Sequence, residues 1–292
     1  MSKILVTGSN GQLGSQIREL TSCRHDMIYT DIPQLDICNI QELLRITESE
    51  DISTIINCAA YTDVEKAEIE PDKAFRLNGE GVSNLTRVAK ERKIGLIHIS
   101  TDFVFNGESN RPYIEADLCN PISTYGKSKF AGEVAIRNSG CKSIIIRTSW
   151  LYSKFGDNFY KRILESASGK DNIEVVNDQI GTPTSATDLA TAILNIIPQL
   201  ESKPLYGEVF HFSNEGVCSR YDFAKKILEL HGSKCRIIPV STSRYTTKAK
   251  RPLYSVLSKE HIRKTFGVNT PHWEDAFKEV YRTRQQNLLF NL

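Results

Sequence analysis

The 292-residue chain has no long apolar run, no long run of one charge, no closely paired cysteines and no internal repeat. Its N-terminal stretch MSKILVTG carries only a three-residue apolar run, Ile4 to Val6, too short for a secretory h-region or a membrane span. The expected location is therefore the cytoplasm, with no membrane partner. A formal net charge of +2 without a basic stripe gives no surface for a nucleic-acid backbone, so no nucleic-acid partner is expected, while a small anionic ligand remains open. Seven cysteines are an odd number, and the closest pair, Cys23 and Cys38, lies 15 residues apart, which excludes C-x-x-C redox and zinc spacing. They read as buried small hydrophobes in a reducing compartment. Six histidines include no H-E-x-x-H, so no metal is expected, and His98 in GLIHIS reads as a strand residue.

The composition, 40% hydrophobic and 25% charged, is that of a globular domain or of two lobes. Through the first half, the short runs KILVT, MIYT, STIINC, GLIHIS and SIIIRT alternate with stretches of 3.6-residue apolar spacing. The runs are almost continuously apolar, as strands covered on both faces must be. This predicts an α/β fold, a Rossmann-type doubly wound parallel sheet. After about residue 150 glycine and proline punctuate more often, as in NDQIGTPTSA and SKPLYGE, between helical patterns such as SRYDFAKKILELHG and HWEDAFKEVYR. Residues 1–150 are thus expected to form a dinucleotide-binding domain. Residues 151–292 should form mainly a smaller substrate-binding lobe, with some segments returning to the sheet.

ILVTGSNGQLGSQI places Gly8, Gly11 and Gly14 between the first strand and the first helix. Missing side chains there permit a tight turn and close approach to a pyrophosphate, and the helix N-terminus supplies free N–H groups. Asp31 ends the second strand, where a carboxylate either accepts from a ribose 2′-hydroxyl or caps the turn DIPQ; Asp36, followed by Ile37, offers a second acid nearby. The small Ala59 and Ala60 after the third strand let backbone lie against a flat ligand or serve helix packing.

HISTDFVFNG then brings the hydroxyls of Ser100 and Thr101 to the carboxyl edge of the sheet. Further on, PISTYGKSKFAGE sets Tyr125 four residues before Lys129, on one face of a helix that begins near Ser123. Chance alone supplies roughly 0.75 matches to Y-x-x-x-K in a chain of this composition, and RYDFAKK holds a second copy in Tyr221 and Lys225. Tyr221 heads the apolar stripe Ala224, Ile227 and Leu228 and reads as a core tyrosine. Tyr125 has the better context. Its phenol needs nearby cations to bring it down from about 10, and Lys129 with an oxidised nicotinamide ring would do so. Trp150, ending SIIIRTSW, reads by itself as a core or lobe-interface aromatic.

The N-terminal G-x-x-G-x-x-G with Y-x-x-x-K resembles the extended short-chain dehydrogenase/reductases. The collinear motifs NCAAYTDVEKAE, STDFVFNG, PISTYGKSK, RTSWLY, VVNDQIGTPTSATDLA and RPLYSVLS are similar to those of the dTDP-4-dehydrorhamnose reductases. The resemblance implies reduction of the C4 keto group of dTDP-4-dehydro-β-L-rhamnose by NADPH or NADH, with a dTDP-sugar as small-molecule partner and room for a homodimer. It makes Tyr125 the proton donor, with Lys129 orienting it and the nicotinamide ribose, and Thr101 completing the triad. It assigns Gly11, Gln12, Leu13, Asp31, Asp36, Ile37, Ala59, Ala60 and Tyr61 to the cofactor, and Thr101, Asp102 and Trp150 to the sugar nucleotide. Two departures matter. Phe103 follows Asp102 where the related dehydratases carry a second acid, and Gln16 stands where some reductases hold a dimer-bridging metal with glutamate. Two rival readings are a non-catalytic nucleotide-binding subunit, like the regulatory β subunit of methionine adenosyltransferase, and a reductase or epimerase of another nucleotide sugar.

Overall fold

A computed structural model describes residues 3–200 and 202–290. Five strands in the first half are parallel neighbours: β1 (Lys3–Thr7), β2 (Met27–Thr30), β3 (Ile52–Asn57), β4 (Gly95–Thr101) and β5 (Ser143–Thr148). Their order in space is β2-β1-β3-β4-β5, and a sixth parallel strand, Tyr206–Phe212, closes the far edge against β5. The chain winds one way from β1 to β2 and the other way from β3 onward. The carboxyl ends of β1 and β3 thus flank a topological switch point, where open sheets of this kind take their ligands.

The helices are α1 (Gln12–Leu20), α2 (Ile40–Ser49), α3 (Val64–Ile69), α4 (Pro71–Phe75), α5 (Gly81–Arg92), α6 (Thr124–Ser139), α7 (Phe159–Ala167), α8 (Ala186–Leu200), α9 (Arg220–Leu230), α10 (Glu260–Phe266) and α11 (Trp273–Phe290). Alternation along each strand divides the core. Ile4 and Val6 of β1 join Leu13 and Ile17 of α1 and Leu189, Ile193 and Ile196 of α8 on one face. Leu5 joins Leu43 of α2, Val82 and Leu85 of α5 and Ile136 of α6 on the other. Each such buried side chain contributes about 1.5–3 kcal/mol relative to exposure.

The remaining C-terminal elements gather round a separate core of Tyr152, Tyr160, Phe223, Ile227, Trp273 and Phe277, beside a parallel pair formed by Asn172–Val176 and Arg236–Val240. The α9 stripe Ala224, Ile227 and Leu228 is buried here as expected, but Tyr221 is only half-buried and Lys225 is exposed. Tyr221 therefore sits at the margin of this core, because it lies one turn outside the stripe. The cysteines also depart from expectation: Cys141 and Cys218 are buried, Cys23 is exposed, and the other four are intermediate. No described helix is long and apolar enough to cross a membrane.

Candidate active site

The switch point is built on an absent side chain. Gly8 adopts a left-handed φ of +65°, and a Cβ there would stand 2.4 Å from the Ala59 nitrogen, so β1 and β3 can meet only at glycine. A Cβ on Gly14 would lie 2.5 Å from the Gly8 carbonyl oxygen, which lets α1 start directly above the turn. Gly11 caps α1 without a side-chain hydrogen bond, and the first turn holds no acidic residue. Its N–H groups are left for an anion. Gly8, Gly11, Asp31, Asp36, Ile37, Ala59 and Ala60 line one cleft together with Ile32, Leu35, Cys58 and Leu77.

Asp31 fulfils the turn-cap reading and also faces the cleft: Oδ1 accepts from the Ile32 N–H and Oδ2 from the Asn10 N–H, both at 2.9 Å. A carboxylate oxygen has a second lone pair, so a ribose hydroxyl remains an available donor. Asp36 lies 3.5 Å from the Arg76 guanidinium and accepts from the Cys38 N–H. Ile37 and Leu13 bury their side chains in the two sheet cores, and Gln12 turns its side-chain oxygen to Ser153 and Asn158. Tyr61 is held through its backbone by Asn78, while its hydroxyl donates to Glu70 at 2.9 Å.

Two side chains unread in the sequence shape this end. Arg18, exposed on α1, lays its guanidinium 5.0 Å from the Tyr29 ring centroid and donates to Ser9 Oγ at 2.6 Å, next to the Asn10 loop that Asp31 holds. Asn78 is fully buried in a single π-helical turn, Arg76–Glu80. It bonds both backbone groups of Tyr61 and donates to Ser128 Oγ at 2.9 Å, tying the β3 exit to α6.

The second half of the site is the start of α6. Ser123 caps the helix by accepting from the Gly126 N–H, and a Cβ on Gly126 would lie 2.2 Å from the Phe103 carbonyl oxygen. That close approach sets Tyr125 beside the exit of β4, edge-on to Phe103 and next to Thr101. Burial pushes the Tyr125 phenol up to about 12; the Thr101 hydroxyl tempers the rise and the charge on Asp102 adds to it. The expected lowering by Lys129 is absent. Lys129 is buried and donates to the Ile99 carbonyl at 2.6 Å, so its head group is directed at β4.

Thr101 donates to Asp102 Oδ1 at 3.0 Å. Burial lifts the Asp102 carboxyl to about 6 against the opposing pull of Ser255, Thr101 and Arg220. Ser100, one residue earlier, leaves the site: its hydroxyl donates to Glu133, which forms a buried ion pair with Arg147. Trp150 is held at a left-handed φ of 46°, its indole backed by the bare Cα of Gly181. The Arg220 guanidinium stacks 3.7 Å from one Trp150 ring centroid and 4.9 Å from that of Phe159. Among the described residues it has no ion-pair partner within 4 Å. Burial brings it down to about 9, and Arg251 and Arg162 add repulsion. Sequence reading missed Arg220 because nothing local sets it apart at the start of an amphipathic helix. The second Y-x-x-x-K copy lies elsewhere, Lys225 lining a surface groove with Asp222, Lys226, Glu229 and Glu274.

A family model described as the RmlD substrate binding domain matches residues 2–286. The spore coat polysaccharide biosynthesis protein SpsK of Bacillus subtilis is 38% identical, covering 97% of this chain and 98% of that protein. A solved dTDP-4-dehydrorhamnose reductase of Clostridium acetobutylicum is 39% identical and superposes with a TM-score of 0.92 over 97% of this chain and 99% of its own. One from Bacillus anthracis, solved in complex with NADP, is 37% identical, with a TM-score of 0.90 over 97% of this chain and 100% of its own.

Proposed function

The chain belongs to the RmlD substrate-binding-domain family, and on that premise we propose that it reduces the C4 keto group of dTDP-4-dehydro-β-L-rhamnose to give dTDP-L-rhamnose, with NADPH or NADH as cofactor. The observation that carries this reading is the meeting, at one sheet edge, of the close Gly8–Ala59 backbone approach with the Thr101–Tyr125 pair. The glycine turn and the uncapped start of α1 suit a pyrophosphate, and Asp31 suits the adenosine ribose. When bound there, the reduced nicotinamide supplies the hydride.

The residues of the chain handle the oxygen. Thr101, on turning its hydroxyl from Asp102, holds the keto oxygen by a hydrogen bond, and Tyr125 releases its phenolic proton to that oxygen as negative charge develops on it. A phenol near 12 is a poor acid toward water at neutral pH, yet it remains stronger than a sugar alcohol, so transfer to a forming alkoxide runs downhill. Asp102 takes a sugar hydroxyl. Trp150 offers an apolar wall, and the unpaired Arg220, with Arg251 and Arg162 reinforcing its field, takes the diphosphate of the nucleotide. In this reading the C-terminal elements serve mainly as the substrate lobe.

The test is a cofactor-oxidation assay over a panel of 4-keto nucleotide sugars, with dTDP-4-dehydrorhamnose expected to turn over fastest. Faster turnover of another sugar would change the substrate. Tight nucleotide binding without turnover of any would favour a regulatory binding subunit.

A further inference from the structure

A chain of buried polar groups runs behind the Tyr125–Lys129 face, through Thr7, Asn57, His98 and Lys129, none more than 2% exposed. Its polarity is set by the backbone. The Ala59 N–H donates to Asn57 Oδ1 at 3.2 Å, and the Thr7 hydroxyl donates to the same oxygen at 2.7 Å. The amide oxygen is thus committed, and Asn57 Nδ2 faces His98 Nδ1 at 2.9 Å. An amide nitrogen only donates, so Nδ1 is the accepting nitrogen and the neutral ring carries its proton on Nε2. That Nε2 stands 3.3 Å from Lys129 Nζ, which spends another N–H on the Ile99 carbonyl. An ammonium has no lone pair to offer an N–H; a neutral amine does.

We propose that His98 is a positioning residue: it presents a fixed Nε2–H to Lys129, holds the amine by its lone pair, and makes Lys129 a proton-exchanging group in place of a permanent cation. The proposal rests on the reading of Lys129 as the partner of Tyr125. The groups around Lys129 agree with it. Burial lowers the amine from 10.5 to about 8, outweighing Glu133, one turn along α6, and Cys58, at the end of β3, both of which favour the ammonium. His98, on β4, is held well below the usual imidazole range by burial and by the Lys129 charge, so it stays neutral. Tyr125 precedes Lys129 by one turn on α6.

The role in the reaction balances simply. Once Tyr125 has given its proton to the sugar oxygen, the Lys129 ammonium, the stronger acid of the two, returns a proton to the phenolate by way of an intervening hydroxyl or water, since Lys129 Nζ itself bonds His98 and the Ile99 carbonyl. The N–H bond breaks, an O–H bond forms, and the electron pair stays on nitrogen, in the form His98 holds. Solvent then restores the ammonium.

Nitrogen-15 NMR of the cofactor-free protein with labelled histidine reads the tautomer without turnover, so it can fail independently of the substrate assignment. The expected spectrum has His98 protonated on Nε2, bare on Nδ1 and unchanged from pH 6 to 9. A proton on Nδ1, or an imidazolium near neutrality, overturns the proposal. The second arm is Asn57→Asp, which sets a carboxylate oxygen against Nδ1 and should move the ring proton there, turning Nε2 into an acceptor. The Lys129 titration midpoint, followed in lysine-labelled protein, should then rise by about one pH unit or more, and the alkaline limb of the kcat profile with it. A reversed tautomer with an unmoved midpoint also overturns it. Should the variant fail to fold, the wild-type spectrum decides.

Discussion

The carboxylate of Glu68, on α3, holds the first residue of α6 by two hydrogen bonds, accepting from the Thr124 backbone N–H at 2.7 Å and from its hydroxyl at 2.6 Å. Tyr125 is the next residue, so an acid 56 positions earlier in sequence fixes the start of the helix that aims the phenol. Glu68→Ala is expected to cost on the order of 1 kcal/mol of stability, the worth of a lost helix cap. It should also lower kcat by about 10-fold through misplacement of Tyr125, with little change in cofactor affinity. Glu68→Gln, which keeps one accepting oxygen, should recover most of the rate. Equal rate losses in both variants would sink the positioning role.

The two Y-x-x-x-K copies give a paired experiment. Tyr125→Phe removes one oxygen beside Thr101 and should lower kcat by ~10²- to 10⁴-fold with a nearly unchanged melting temperature. Tyr221→Phe alters a half-buried ring on α9 and should cost at most about 1 kcal/mol of stability, leaving kcat intact. The reverse pattern in kcat and melting temperature would move the active site to α9.

On the proposed cofactor site, two opposing charges bear on cofactor choice. Asp31 repels a ribose 2′-phosphate, while Arg18, donating to Ser9 beside the loop that Asp31 ties down, attracts one. Together they lead to the expectation that NADH and NADPH are both accepted. Arg18→Met should weaken NADPH about 10-fold relative to NADH, and because Arg18 is exposed the difference should shrink with added salt. Fluorescence titration of both reduced cofactors measures it, and an unchanged ratio would remove Arg18 from the cofactor site.

Asp102 carries a stability cost with a definite pH window. Its carboxyl is raised from 3.8 to about 6, chiefly by burial, so between those values the folded protein binds a proton that the unfolded chain does not. Stability contributed by this group is therefore full below about pH 4, falls as pH rises towards 6, and stays lost above. Asp102→Asn should be more stable than the parent by about 2–3 kcal/mol at pH 8, with the advantage vanishing near pH 4, while KM for the sugar rises. Thermal melts of both proteins at the two pH values decide the matter; a constant difference would show that ionisation of Asp102 is not what costs stability.

The β1 to β5 strands and the glycine turn were legible because they obey local rules: continuous apolar runs where both faces are covered, and glycine where backbone meets backbone. Tyr125 was legible only through its neighbours, since Tyr221 matches the same pattern. The sequence was silent wherever a side chain acts across a long separation. Glu68 on Thr124, Asn78 on Tyr61 and Ser128, and Arg220 on Trp150 are such cases, each an ordinary polar residue on an ordinary helix until the fold brings its partner. The same applies to Ser100. It occupies a strand end as catalytic hydroxyls do, but a buried Glu133–Arg147 pair, invisible to spacing, claims it. The share of Lys129 in lowering the Tyr125 phenol was overestimated for a related reason: desolvation and the direction of Lys129 are properties of the packed state.

The sixth strand governs how the molecule can be made. Tyr206–Phe212 covers the open edge of β5, and α8, which precedes it in the chain, packs on one sheet face. A nascent chain that has just completed β5 therefore presents an unpaired parallel edge and a stripe, Ile4, Val6, Ile144 and Ile146, that α1 covers only in part. The stripe is covered once α8 is complete at Leu200, and the edge only once Phe212 is in place. The sheet of the first half is therefore completed only by residues of the second, and until they are made the chain carries an open strand edge of the kind that pairs with other chains.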